Sequence, residues 1–198
     1  QPGFSYIAQL RSWLPREIGG ILWFGNDDGN MVAYVPIYCS NTERAECFNT
    51  PGADAVTFSD KNAFWVCNWV SNMVYPRYSQ LFPALKEVRD SLDNAFLAAQ
   101  KGVEAKAEAL YATDKAAAVK YLNDYSIQKS NEMITRWRQL AIHLIVKFND
   151  MTVKPEKDGK FLRTSTGLGE RVKRTGYSDY FKRELVKQTG DKFAVPNK

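Results

Sequence analysis

The sequence predicts an α+β fold that is mostly helical. Two β-rich runs flank a cluster of turn residues near the N-terminus, and two long amphipathic patterns fill the middle of the chain. Hydrophobic content of 44% and aromatic content of 13% over 198 residues suit one globular region that can bury a core.

Residues 1–18 read as a connector. Phe4, Ile7, Leu10 and Leu14 recur at helical spacing, which predicts a short helix interrupted by Pro15. Residues 19–42 predict a β-hairpin. Gly19 and Gly20 break the preceding pattern, and Ile21, Leu22, Trp23 and Phe24 form an apolar run. Six turn formers follow over residues 25–30, and residues 31–39 are again apolar and aromatic. Apolar side chains at both parities predict strands covered on both faces.

Residues 43–57 read as a loop, with Asn49, Thr50, Pro51 and Gly52 as a turn signal. Ser59 or Asp60 is placed to N-cap a helix running through Tyr75. That helix is apolar nearly all round, which predicts burial of Trp65 and Trp69, and Pro76 stops it.

A long amphipathic helix is predicted over residues 81–112. Leu85, Val88, Leu92, Phe96, Val103 and Ala107 keep its spacing, and Pro83 suits its first turn. Thr113 or Asp114 recaps the chain, and a second helix runs over 115–149 with a stripe of Met133, Trp137, Leu140, Leu144 and Phe148. The short junction predicts an antiparallel αα-hairpin, with Lys86, Arg89, Asp90 and Glu104 facing solvent. Residues 154–177 are polar and basic. Ser178 caps a last short helix ending near Gly190, and Phe193 and Val195 are expected to fold back on the body. The layout is one region in three parts: sheet and buried helix over 19–80, helical hairpin over 81–150, basic tail over 151–198.

The formal net charge is +5, and residues 151–198 alone carry +6. Sparse aromatics and the lack of a nucleic-acid motif make the tail a solvated basic face, with no nucleic acid as partner. No apolar run reaches the roughly 20 residues of a membrane span. The opening residues lack a basic n-region, so no signal peptide is expected. A soluble protein follows, in the bacterial cytoplasm, the periplasm or secreted. The three cysteines, Cys39, Cys47 and Cys67, are odd in number and form no CxxC pair, so they read as free thiols without zinc. His143 stands alone in a helical run and reads as structural. The Gly-containing segment at Thr166, Gly167, Leu168 and Gly169 lacks a P-loop lysine, and no cofactor is expected.

The candidate binding residues are Asn26, Asp27, Asp28 and Arg77. The two adjacent carboxylates can clamp an ammonium, and turn chemistry alone also explains them. The Arg77 guanidinium can bind a carboxylate in a bidentate fork, or pair internally with Asp27 or Asp28.

Three segments carry a family resemblance: GGILWFGNDDGNMVAYVPIYCSNT at 19–42, FSDKNAFWVCNWVSNMVYPRY at 58–78, and LIVKFNDM at 144–151. The first resembles the W-F-G-x-D-D and Y-x-P-x-Y strand pair of the PepD-type dipeptidases, cysteine-type N-terminal nucleophile hydrolases related to the secernins. The second is similar to their A-F-W helix. The resemblance implies part of a four-layer αββα sandwich and dipeptides as substrates. It implies a nucleophilic cysteine at a mature N-terminus whose α-amine serves as base. Here residue 1 is Gln and all three cysteines are internal. The resemblance therefore implies the C-terminal portion of a dipeptidase, without catalytic residues of its own. Its partner would be the missing N-terminal half, with homo-oligomerisation left open. A non-catalytic helical binding module with a basic tail is the alternative, and the encoded sequence upstream of Gln1 discriminates the two.

Overall fold

The computed structural model describes residues 2–193. It divides into two compact units, with the division in the sequence falling between Leu144 and Ile145. The first unit holds a three-stranded antiparallel sheet in the order β1 (Phe4–Leu10), β2 (Gly20–Asn26), β3 (Val35–Tyr38). The predicted hairpin is β2 and β3, in the register Ile21↔Tyr38 to Phe24↔Val35.

The expected helix at the N-terminus is instead β1, which pairs along its whole length with β2, from Phe4↔Asn26 to Leu10↔Gly20. Apolar residues at helical spacing were a coincidence of side-chain choice. The unpaired edge of β2 supplies ladder bonds that an isolated helical turn cannot match, and tertiary pairing decides the segment. A single turn, α1 (Arg16–Gly19), joins β1 to β2. Coverage on both faces holds only for the inner part of the sheet. Ile21, Trp23, Val35 and Tyr38 are buried, whereas Phe4, Tyr6, Ile7 and Leu10 on β1 are exposed.

Helix α2 (Ala63–Val74) begins later than expected, because Asn62 rather than Ser59 or Asp60 is the cap. Its side chain accepts from the Trp65 N–H. Ser59 closes a local turn onto the Lys61 N–H instead. The buried face of α2 is the stripe Ala63, Val66, Cys67, Val70, Ser71 and Val74. Trp65 and Trp69 are only half-buried. They pack edge-on against Phe58, and Trp65 Nε1 donates to the Asp54 carbonyl at 2.8 Å.

After a 3₁₀ turn over Tyr75–Arg77, α3 (Tyr78–Tyr111) and α4 (Lys115–Phe148) form the helical hairpin. Pro83 lies inside α3, beyond its first turn. Asp114 caps α4 by accepting from the Ala117 N–H at 3.0 Å. Lys106 lies over the Tyr121 ring and Lys129 over Phe96, which fixes the two helices side by side and antiparallel. Leu85, Leu92, Phe96, Leu122, Met133, Trp137, Leu140 and Leu144 are all buried, as their spacing requires.

Two residues assigned to the solvent face are instead engaged by other segments of the fold. Glu104 pairs with Arg11 and also accepts from Gln100 Nε2 at 2.9 Å. Arg89 donates to the Asn30 carbonyl at 2.6 Å. Both reach groups far away in sequence, which helical spacing alone cannot report.

The second unit contains two small pairings that the polar composition concealed. Strand β4 (Thr152–Val153) pairs with β7 (Lys173–Arg174), and β5 (Glu156–Lys157) pairs with β6 (Lys160–Phe161). Asp158 and Gly159 join β5 to β6 with φ of 51° and 72°, the pair of positive angles a two-residue hairpin turn needs. Helix α5 (Asp179–Thr189) is capped by Ser178, and Gly190 follows at a φ of 55°. Val195 lies outside the described residues, as does the side chain of Phe193. Among the described residues no helix is long and apolar enough to cross a membrane.

Candidate functional site

Strand β2 ends at Asn26, and the chain then turns sharply through Asp27, whose φ of 74° lies in the left-handed region. Asp tolerates that conformation better than most side chains. The Asp27 N–H donates to the Gly3 carbonyl at 2.9 Å, so the loop root is tied to the start of β1. Asp27 is 1% exposed. It lies close enough to α2 that its charge, after burial itself, helps to raise the pKa of the Cys67 thiol.

Asp28 is oriented from both sides. One oxygen accepts from the Asn30 N–H at 3.1 Å and the other accepts from the Tyr75 hydroxyl at 2.6 Å. Burial, then the hydrogen bond to Asp28, pushes the Tyr75 pKa up to about 12. The phenol is therefore a fixed donor at neutral pH. Asn30 in turn donates to the Tyr78 hydroxyl at 2.8 Å, and Arg89 holds the Asn30 carbonyl. Tyr78 stacks on Phe82 with ring centroids 4.5 Å apart, and the Arg89 guanidinium lies over the Phe82 ring.

The hairpin loop is thus clamped by the end of α2 and the start of α3. Asn26, Asp27 and Asp28 are consecutive at its root, and Asn26 Oδ1 is a buried acceptor without a hydrogen bond. Arg77 lies in the same α2–α3 junction and is half-buried, with burial lowering its pKa from the ordinary arginine value. Its Nε donates to Gln80 Oε1 at 2.9 Å. Sequence reading named the carboxylates but missed Tyr75, Tyr78, Asn30 and Arg89, which hold the loop. The available signal was the pair of tyrosines flanking Pro76 at a helix stop.

The cysteines are chemically quiet where they are buried. Burial drives the Cys47 pKa up to about 11 and raises that of Cys67 further. A thiol so shifted stays protonated and is a poor nucleophile. Cys39 is exposed at the end of β3. Among the described residues no group of His, Cys, Asp and Glu could hold a metal ion.

Residues 1–91 of the chain match the sequence profile of peptidase family C69. At the level of individual proteins, the chain is similar to a protein named probable dipeptidase B from Streptococcus pyogenes serotype M1. The two are 19% identical over 141 residues, covering 71% of this chain and 28% of that protein. The chain thus spans under a third of the length of that relative. Both matches support kinship with the PepD-type dipeptidases.

Proposed function

We propose that this chain is one portion of a dipeptidase and that the loop root at Asn26, Asp27 and Asp28 borders its substrate cleft. The observation that carries this reading is the buried Asp27 carboxylate in a left-handed backbone, next to the unsatisfied Asn26 acceptor. An unpaired buried acceptor and a left-handed non-glycine backbone both cost stability, and scaffolds keep such features where binding or chemistry requires them. A dipeptide presents an ammonium at one end and a carboxylate at the other. Acceptors at Asn26, Asp27 and Asp28 suit the ammonium, and the Arg77 guanidinium suits the carboxylate. Recognition of both ends at a fixed distance excludes longer peptides, whose terminal carboxylate would lie beyond the reach of Arg77.

The nucleophile in this reading is a cysteine at the mature N-terminus of the other portion, and Cys39, Cys47 and Cys67 play no part. The sheet face formed by Phe4, Tyr6, Leu10, Leu22 and Phe24 is apolar and partly open. It would be covered by a second sheet in an αββα sandwich. The isolated chain is expected to hydrolyse no dipeptide. In the complete enzyme, Asp27→Asn, Asp28→Asn and Arg77→Lys should each lower kcat/KM. The loss from the aspartate changes should be confined to dipeptides with a free amine. Values within about threefold of the unaltered enzyme for all three would remove these residues from the site.

A further inference from the structure

The two edges of the sheet are built differently. On the outer edge of β3, the outward N–H groups belong to residues 34, 36 and 38, since the Cys39 N–H turns inward to the Gly20 carbonyl. Tyr34 N–H donates to Asp93 Oδ1 at 2.9 Å, Pro36 has no N–H, and Tyr38 N–H donates to Ser126 Oγ at 3.3 Å. Every outward donor on that edge is used or absent.

The β1 edge is the reverse. The Arg11 N–H reaches the Gly19 carbonyl and the Asp27 N–H reaches the Gly3 carbonyl, so odd-numbered residues of β1 bond inward to β2. The outward backbone groups are those of Phe4, Tyr6, Ala8 and Leu10, and no described residue pairs with them. Solvent-facing edges are ordinarily blunted by lysine, proline or a bulge. β1 has none of these over seven residues, and Leu10 is 76% exposed. Beneath β1 lies an open groove of about 400 Å³, lined by Ile7, Trp23, Tyr34, Asp93 and Leu97. Its walls are mainly apolar, and it runs where the sheet overhangs α3.

We infer that the sheet continues past β1, through a strand supplied by the part of the longer polypeptide outside these residues. The inference rests on the reading of the chain as one portion of a larger enzyme. The relative it matches is several times longer than the matched stretch, so sequence for such a strand is present there. The chemistry of the added strand is set by what it meets. Side chains on its helix side fill the groove between Ile7 and Leu97, and those on its other side join Phe4 and Tyr6. Both faces must be apolar, as in an interior strand. The β3 edge takes no further strand.

Hydrogen exchange on the complete polypeptide tests the assignment. The Tyr6 and Ala8 amides should exchange at least about 100-fold more slowly than unstructured amides. Ala8→Pro removes one outward donor without touching the β1–β2 bonds, and it should abolish the Tyr6 protection. Unprotected Tyr6 and Ala8 amides in the complete polypeptide overturn the inference. So does protection that is lost on dilution together with a fall from dimer to monomer mass, which would assign the edge to a second copy. Dipeptide hydrolysis measured on the same sample separates the two proposals. Hydrolysis without β1 protection sinks the added strand alone, and protection without hydrolysis sinks the dipeptidase reading alone.

Discussion

Arg11 and Glu104 form a buried ion pair across 93 positions of sequence, with side chains 7% and 12% exposed. Arg11 also donates to the carbonyls of Ile18 and Gly19, each at 3.3 Å, and Glu104 accepts from Tyr38 and Gln100. The pair therefore ties the end of β1, the α1 turn and β3 to the C-terminal third of α3. Removing one partner leaves the other charge buried and uncompensated. Arg11→Ala should cost about 3–5 kcal/mol in urea denaturation. A loss below about 1 kcal/mol would mean that water reaches Glu104 freely.

Trp137 should matter more to stability than Trp65. Trp137 is fully buried on α4, while Trp65 is half-buried at the outer rim of α2. Trp137→Ala should cost about 3–5 kcal/mol, and Trp65→Ala clearly less. Because the Trp137 indole N–H makes no hydrogen bond, Trp137→Phe should cost much less than Trp137→Ala. Thermal and urea unfolding of the three variants give the order directly.

Asp93 sets a pH dependence. Burial raises its carboxyl pKa above the ordinary aspartate value, against the opposing pull of the Tyr34 N–H and Arg89. A carboxyl raised on folding favours the folded state most below its unfolded pKa. That contribution is lost as pH rises through its folded pKa. Asp93→Asn keeps an acceptor for the Tyr34 N–H and removes the titration. Its stability relative to the unaltered chain should therefore improve as pH rises above the ordinary aspartate range. A difference that is flat with pH would contradict the assignment.

Thiol labelling should divide the cysteines. Cys39 is exposed and Cys47 and Cys67 are buried, with their thiols held protonated. An aromatic disulfide reagent should modify Cys39 rapidly in the native state and reach the other two only in denaturant. Fast native labelling of Cys67 would show that α2 opens locally far more than its burial allows.

Elements with strong local signals were legible in the sequence. The Gly, Asn and Asp cluster after Phe24 announced the β2–β3 hairpin, and the spacing of Leu85 to Ala107 announced α3. β1 was misread because Phe4, Ile7 and Leu10 fit a helical stripe while also fitting an exposed strand, and only the β2 edge arbitrates. The β5–β6 turn carried a readable Asp158-Gly159 signal that the charge of its surroundings masked. The loop that carries the candidate site was half legible. Asp27 and Asp28 were marked by their chemistry, but Tyr75, Tyr78 and Arg89 meet the loop from 47 to 59 positions away. No local pattern encodes such a contact.

The clamps on the β3 edge also impose an order in time. Asp93 and Ser126 lie 59 and 88 positions after the N–H groups they satisfy. A ribosome adding about 5–20 residues per second delivers them on the order of ten seconds after β3 itself. Through that interval the nascent sheet carries two open edges, although the finished unit shows one. The hairpin of α3 and α4 is thus a late-arriving guard, and the emerging chain is most exposed to wrong strand pairing before α4 is made.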